Sequence, residues 1–351
     1  MHNNLNQPRI YEDFLGAFKQ LQAFRASGVP VPAGNTLVRM FGTPQAAISA
    51  INATTLDSGS VGLAANNLDA TSSNYNRYAA AGLPQWYLRN YPQFSLAYLA
   101  TNDGRSYYNS FQLSLRRQAG RFKFNANYTF SKSIDNWANE GNGTDNGSVI
   151  DWFNTRLNRG RSGFDKTHVF NSTFIYTLPF GKNRRYLGNA PRWLDYLAGG
   201  WDIGVLNVWQ SGSVFSVSSG RATGPNHGAN SWADYSGDRS IGKLDKRGGG
   251  VFYLSEEEKA RFGFPEAGTI GTSGRNAFRG PRFFNIDTTL SKRFRVTESS
   301  AAVLRLEAYN LFNSARFGTP GASLATPASF GRFSGTIGGA RIVQTALRFE
   351  F

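Results

Sequence analysis

Apolar and polar residues alternate up to the last position of the chain. Thr345, Leu347, Phe349 and Phe351 interleave with Gln344, Ala346, Arg348 and Glu350. A period of two gives a strand one apolar and one polar face. A soluble fold gains nothing from ending on an aromatic in mid-strand, where fraying would expose it. A closed membrane barrel pairs its last strand with its first and sets aromatics at the water boundary. The pattern recurs upstream. Phe111, Leu113 and Leu115 alternate with Gln112, Ser114 and Arg116. After a turn at residues 119–121, Phe122, Phe124, Ala126, Tyr128 and Phe130 alternate with Lys123, Asn125, Asn127, Thr129 and Ser131. These segments read as a hairpin with one greasy and one wet face. Phe170, Phe174 and Tyr176 share a parity with His168 and Ser172, and residues 201–210 follow Gly199-Gly200 as a less clearly sided strand. Phe284, Ile286, Thr288 and Leu290 oppose Asn285, Asp287, Thr289 and Ser291, while Ala302, Leu304, Leu306 and Ala308 oppose Arg305 and Glu307. With the terminal strand this makes seven candidates, several about ten residues long, the length of a tilted membrane strand.

The connections sort by length. Residues 132–165, 217–282 and 313–341 are long, polar and rich in Gly and Asn, whereas 119–121, 179–200 and 295–301 are shorter. Long outside loops and short inner turns are the asymmetry of outer-membrane barrels. By the same parity, residues before Asn109 lie outside. Within them Phe14, Leu15, Phe18, Leu21 and Phe24 recur near helical spacing ahead of Gly28 and Pro30, predicting a short amphipathic helix over residues 12–26. That helix could sit in a large loop or pack on a partner or a membrane surface. Residues 46–81 are rich in small side chains and are expected to be irregular. The expectation is thus an all-β chain: an extracellular loop region with a short helix over residues 1–108, then antiparallel transmembrane β-barrel strands over 109–351. Seven strands form an incomplete barrel, because two open edges cannot stand in hydrocarbon. Residues 1–9 are polar and carry no secretory leader, so a C-terminal part of something larger is expected, with closure by several chains as the alternative.

Composition agrees where it bears on this. Aromatics are 14% of residues, with Phe 28 and Tyr 15, and mean hydropathy is −0.39. No apolar run reaches the roughly 18 residues of a spanning helix, which excludes helical membrane proteins and leaves barrels open. Absence of Cys excludes disulfides and thiolate chemistry. The net charge of +15 is scattered, its densest groups being Lys182–Arg185 and Arg116–Arg117, so nucleic acid is not the expected partner.

Several runs, in order, carry a resemblance: Tyr108-Asn109 with Phe111-Gln112-Leu113, Asn127-Tyr128-Thr129-Phe130-Ser131-Lys132, Leu178-Pro179-Phe180-Gly181, Gly200-Trp201 and Gln210-Ser211-Gly212. Phe278-Arg279-Gly280-Pro281, Asn285-Ile286-Asp287 and Arg305-Leu306-Glu307-Ala308-Tyr309-Asn310-Leu311-Phe312-Asn313 complete the set. From about residue 12 to the end the chain resembles TonB-dependent transporters of the Oar-like type. The resemblance implies a large outer-membrane barrel, usually of about twenty-two strands, closed by an N-terminal plug. The inner-membrane TonB complex would supply energy through that plug, which this sequence lacks. It further implies uptake of an unidentified solute and contact with outer-membrane lipid and lipopolysaccharide. Leu347, Phe349 and Phe351 would be the assembly signal read by the barrel-assembly machinery. A surface adhesion or assembly protein using the same barrel without active import is the alternative.

Candidate chemistry is sparse. His2, His168 and His227 show no metal-ligand spacing, and His168 reads as an interface side chain. Asp135, Glu140, Asp145 and Asp151 share one outside loop, without a regular Ca²⁺-loop spacing, and read as a solvated loop. Arg305, Glu307, Arg348 and Glu350 face one way and are expected to form a lumenal charge ladder, a substrate relay being the sharper reading. The sequence shows no catalytic, cofactor or metal site, so the chain is not expected to be an enzyme.

Overall fold

The structure is a computed structural model and describes the chain except residues 1, 5, 7–8, 95–96, 101, 137–149, 152–153 and 225–229. Seven long strands form one antiparallel sheet: β1 (Ser106–Arg117), β2 (Phe122–Asp135), β3 (His168–Thr177), β4 (Trp201–Gln210), β5 (Phe283–Arg295), β6 (Ala301–Tyr309) and β7 (Ile342–Glu350). They are the seven strands that the alternation predicts. Each pairs with the next in chain order, and the short strand Gly160–Arg161 adds to one end of β2. The sheet does not close, so β1 and β7 are its edges.

Register brings the separate alternations into phase. Directly paired residues share a face, and Phe122, Tyr176, Ile203, Leu290, Leu306 and Thr345 form one row across six strands. A second row runs Leu113, Tyr128, Phe170, Trp209 and Phe284. A slip of one residue in any strand would reverse its face, so the continuity of these rows confirms the sidedness read from sequence. Ser172 and Asn207 interrupt the apolar face as a paired polar spot. From Phe122 to Phe130 the band runs about 27 Å along the strand, or about 20 Å when tilted by ~40°. Phe111, Leu115, Leu347 and Phe349 on this face are all more than half exposed.

At one end the strands join through residues 118–121, 178–200 and 296–300, the middle connection carrying a short helix at Arg192–Ala198. At the other end the long connections are folded rather than loose. Residues 211–282 and 310–341 share a core of Phe215, Val217, Tyr253, Leu254, Phe262, Phe278, Phe330 and Phe333. Its rings interlock: Phe262 lies 5.3 Å from Phe278 and 5.4 Å from Phe330, both edge-on. Gly212 permits the close approach that seats this core on the sheet, since a Cβ there would fall 1.8 Å from the Gly280 carbonyl oxygen.

The region before β1 departs from expectation. Besides α1 (Glu12–Ser27), it contains α2 (Thr36–Phe41), α3 (Pro44–Ile51), α4 (Ala53–Asp57), α5 (Val61–Ala70) and α6 (Asn74–Ala80). Residues 46–81 are therefore largely helical, and 1–108 is more than a loop with one helix. The helices are too short to display a long period and are defined by caps. Asn35 Oδ1 accepts from Val38 N at 3.0 Å, Thr43 Oγ1 from Ala46 N at 3.1 Å, and Asn52 Oδ1 from Thr54 N at 2.8 Å. Buried Ala47, Ala64 and Ala65 let them pack closely around Phe14, Phe18, Leu21, Ile51, Leu56 and Tyr78. The unit docks on the long connection between β4 and β5. Gly62 N donates to Ala222 O at 2.8 Å, Arg221 Nη1 to Ser58 O at 3.2 Å, and Ala267 enters the helical core. β1 begins at Ser106, three residues before the expected boundary at 109.

Candidate functional site

The polar face of the sheet collects Asn125, Thr173, Asp202, Asp287, Ser291, Arg305 and Glu307, with Leu206 and Ile175 among them. The four charges expected as a ladder fall into two neighbouring groups. In the first, Arg305 Nη1 lies 3.5 Å from Glu307 Oε1, while Glu307 Oε2 accepts from Gln344 Nε2 at 2.5 Å and Tyr309 OH at 3.3 Å. In the second, Arg348 Nε lies 3.8 Å from Glu350, which also pairs with Arg293, a residue not anticipated. A groove of about 380 Å³ opens beside the first group, lined by Asp202, Asp287, Ser291, Arg305, Glu307 and Tyr309. Its other two carboxylates hold protein groups as Glu307 does. Asp202 Oδ1 accepts from Thr177 Oγ1 at 2.6 Å, and Asp287 Oδ1 from Asn310 N at 2.8 Å and Asn285 Nδ2 at 2.9 Å. The groove thus holds three carboxylates and one guanidinium, each engaged by protein groups, beside the apolar Ile175, Val205 and Leu206.

Where the sheet meets the folded loops, a buried ionic network fixes one to the other. The Asp165 carboxylate, fully buried, accepts from Ser133 N at 2.7 Å and Arg161 Nη1 at 3.1 Å, and pairs with Arg279. Arg279 Nη1 also donates to Gly212 O at 2.9 Å and Nη2 to Thr167 Oγ1 at 2.5 Å. Alongside, Arg275 pairs with Asp135 and donates through Nη1 to Asp135 O at 3.2 Å and Asn158 O at 3.3 Å. Such charges are tolerable away from water because each is paired and hydrogen-bonded. Lys166 Nζ donates to Ser213 Oγ at 2.7 Å, and burial, with the Arg279 guanidinium nearby, pushes this ammonium below its ordinary range against the pull of Asp165.

Residues 48–344 match the family model described as outer membrane beta barrel domain. The chain belongs to that family. Neither a curated protein nor a solved structure matches it. As an outer membrane β-barrel domain it resides in the outer membrane, which gives the two faces of the sheet their meaning. In such barrels the apolar face meets lipid and the polar face the lumen, with short turns on the periplasmic side and long loops outside, and this sheet sorts its faces and connections in the same way. Rings mark both boundaries. Phe130, His168, Trp209 and Phe284 gather toward the extracellular end, and Phe122, Tyr176, Trp201, Phe294 and Phe349 toward the periplasmic one. His168 Nδ1 lies 2.8 Å from Tyr128 OH, with its ring 5.2 Å from Phe130 and 6.1 Å from Trp209. Leu347 pairs with Leu304 and Phe349 with Ala302 on the lipid face, and Phe351 follows the last strand residue, fully exposed.

Asp135 was expected in a solvated loop and is instead buried against Arg275. Asp151 Oδ1 accepts from Asn154 N at 3.3 Å, while Glu140, Asp145 and His227 lie outside the described residues. Among the described residues no group of His, Asp or Glu could hold a metal ion. Sequence reasoning missed Arg275 and Asp165 altogether. Arg279 was visible only as a member of the Phe278-Arg279-Gly280-Pro281 run, with no hint of its partner.

Proposed function

We propose that this barrel domain forms part of the wall of a TonB-dependent outer-membrane transporter that takes up a polar solute, and that it has no catalytic role. The supporting observation is the combination of a charged lumenal groove at Arg305 and Glu307 with extracellular loops folded into their own core above the wall. Such loops can select a solute while the wall serves as scaffold. In this reading the free edges β1 and β7 pair with further strands, and energy reaches the barrel through a plug. Outer-membrane lipid, lipopolysaccharide and the barrel-assembly machinery are the remaining expected partners. Surface adhesion without import is the competing reading, favoured by the extent of the folded extracellular part. The test compares depletion of solutes from culture medium by the source bacterium and a deletion strain, each with and without a protonophore. Transport predicts a solute whose depletion requires both the gene and the proton-motive force. Identical depletion by the two strains, with altered surface attachment in the deletion strain, would replace transport by adhesion.

A further inference from the structure

The periplasmic connection between β3 and β4 combines a cluster of cations with a short helix, as neither of its neighbours does. Residues 178–200 carry Lys182, Arg184, Arg185 and Arg192 against one carboxylate, Asp195, whereas residues 296–300 hold Glu298 and no cation. All four cations are exposed. The segment is also well ordered by its own hydrogen bonds. Gly181 N donates to Tyr186 O at 3.0 Å, Tyr186 N to Pro179 O at 3.0 Å, and Asp195 Oδ1 accepts from Lys182 N at 2.5 Å. Gly181 and Gly199 crowd that carboxylate, and a Cβ on either would fall within 2.7 Å of Asp195 Oδ1.

The short helix α7 (Arg192–Ala198) is fixed to the lipid side of the sheet. Lys292 occupies the apolar parity between Trp201 and Leu304, where a cation is out of place until its partners are counted. Its ammonium donates to Tyr196 O and lies 4.9 Å from the Phe294 ring centroid and 5.7 Å from that of Trp201. Trp201 Nε1 donates to Leu197 O at 3.0 Å. Two side chains from the wall therefore satisfy carbonyls at the helix C-terminus, where cations are favoured. The Tyr196 ring, 5.4 Å from Phe294, continues the aromatic boundary outward. Trp193, Tyr196 and Leu197, at spacings of three and four, leave one face apolar and more than half exposed.

We infer that residues 178–200 form a foot on the periplasmic leaflet, where Trp193, Tyr196 and Leu197 enter the acyl boundary and Lys182, Arg184 and Arg185 bind the phosphates of anionic phospholipids. Charge complementarity selects this occupant. An apolar helix face beside a cluster of guanidinium and ammonium groups is the pattern of an interfacial segment on an anionic surface. The inference requires the outer-membrane placement of the chain and not the transport reading.

The test uses the full chain extracted in mild detergent from outer membranes of the source bacterium. Native mass spectrometry measures retention of added phosphatidylglycerol against phosphatidylcholine. Each cation near an anionic surface contributes about fivefold, so Lys182→Gln/Arg184→Gln/Arg185→Gln should bind phosphatidylglycerol on the order of a hundredfold more weakly. Arg116→Gln/Arg117→Gln/Arg121→Gln, which removes the same charge at another periplasmic turn, should keep wild-type binding. Trp193→Ala/Leu197→Ala leaves the cations in place and should also weaken binding, so the inference stays testable if the charge variant does not assemble. Wild-type retention of equal amounts of both lipids, or equal losses in the foot and control variants, would overturn it.

Discussion

Leu306→Arg is the most direct probe of how this wall is oriented. Leu306 lies five residues beyond Ala301, the periplasmic start of β6, which places it about 13 Å into an apolar band of ~25 Å. Its cross-strand partners Leu290 and Thr345 lie on the same lipid-facing row, and none can neutralise a guanidinium. An Arg at mid-depth on the lipid face costs about 2–4 kcal/mol. One position away, Arg305 faces the lumen, half exposed, with Glu307 at 3.5 Å. Removing a solvated pair of that kind costs about 0–1 kcal/mol. The expected gap between Leu306→Arg and Arg305→Ala is thus about 1–4 kcal/mol, or roughly fivefold to a thousandfold in the folded-to-unfolded ratio. Denaturant titration in lipid vesicles, followed by heat-modifiable migration on gels, measures both variants against wild type. Equal destabilisation, or a larger loss from Arg305→Ala, would refute the assignment of faces.

Phe349→Ala combined with Phe351→Ala should reduce the amount of chain assembled in the outer membrane severalfold, as read by immunoblot of membrane fractions. A normal yield would remove the terminal aromatics from the assembly signal. Asp165→Asn removes the buried charge shared by Arg161 and Arg279, and breaking a buried pair costs about 3–5 kcal/mol. It should expose residues 211–282 to protease while the wall keeps its heat-modifiable migration, and unchanged protection would show that the aromatic core alone holds the loops. Burial pushes the Tyr253 phenol up to about 12, with Glu258 adding to the shift. Because the folded value lies above the unfolded one, its contribution is complete below about pH 10 and is lost as pH rises toward 12. The ultraviolet difference titration between wild type and Tyr253→Phe should show this group ionising well above the ordinary phenol range. Ionisation near pH 10 would place Tyr253 in contact with water.

The wall was legible because lipid and lumen impose opposite demands on alternate residues, and nothing local competes with that rule. Leu113, Tyr128 and Leu306 could be assigned a face before any partner was known, and the register agrees at each. The sequence gives no such guide for residues 46–81. There the helices rest on single caps such as Thr43 and Asn52, and buried alanines resemble loop composition. Of the functional groups, Arg305 and Glu307 were visible from parity. Their separation from Arg348 and Glu350 depends on Arg293 and Gln344 arriving from neighbouring strands. Arg275 and Asp135 stand 140 residues apart, and no periodicity reports a meeting over that distance.

The same distances set an order of events during biogenesis. Each wall strand pairs with its neighbour in sequence, so hairpins can be added one after another with short chain closures. The contacts of Arg275 with Asp135 and of Arg221 with Ser58, across 140 and 163 residues, bridge whole groups of strands. The segments that carry them must cross the bilayer as extended chain before they can meet. Topology therefore lets the strands pair by local closures first, so the shared core of the long connections forms last, on a wall already in register.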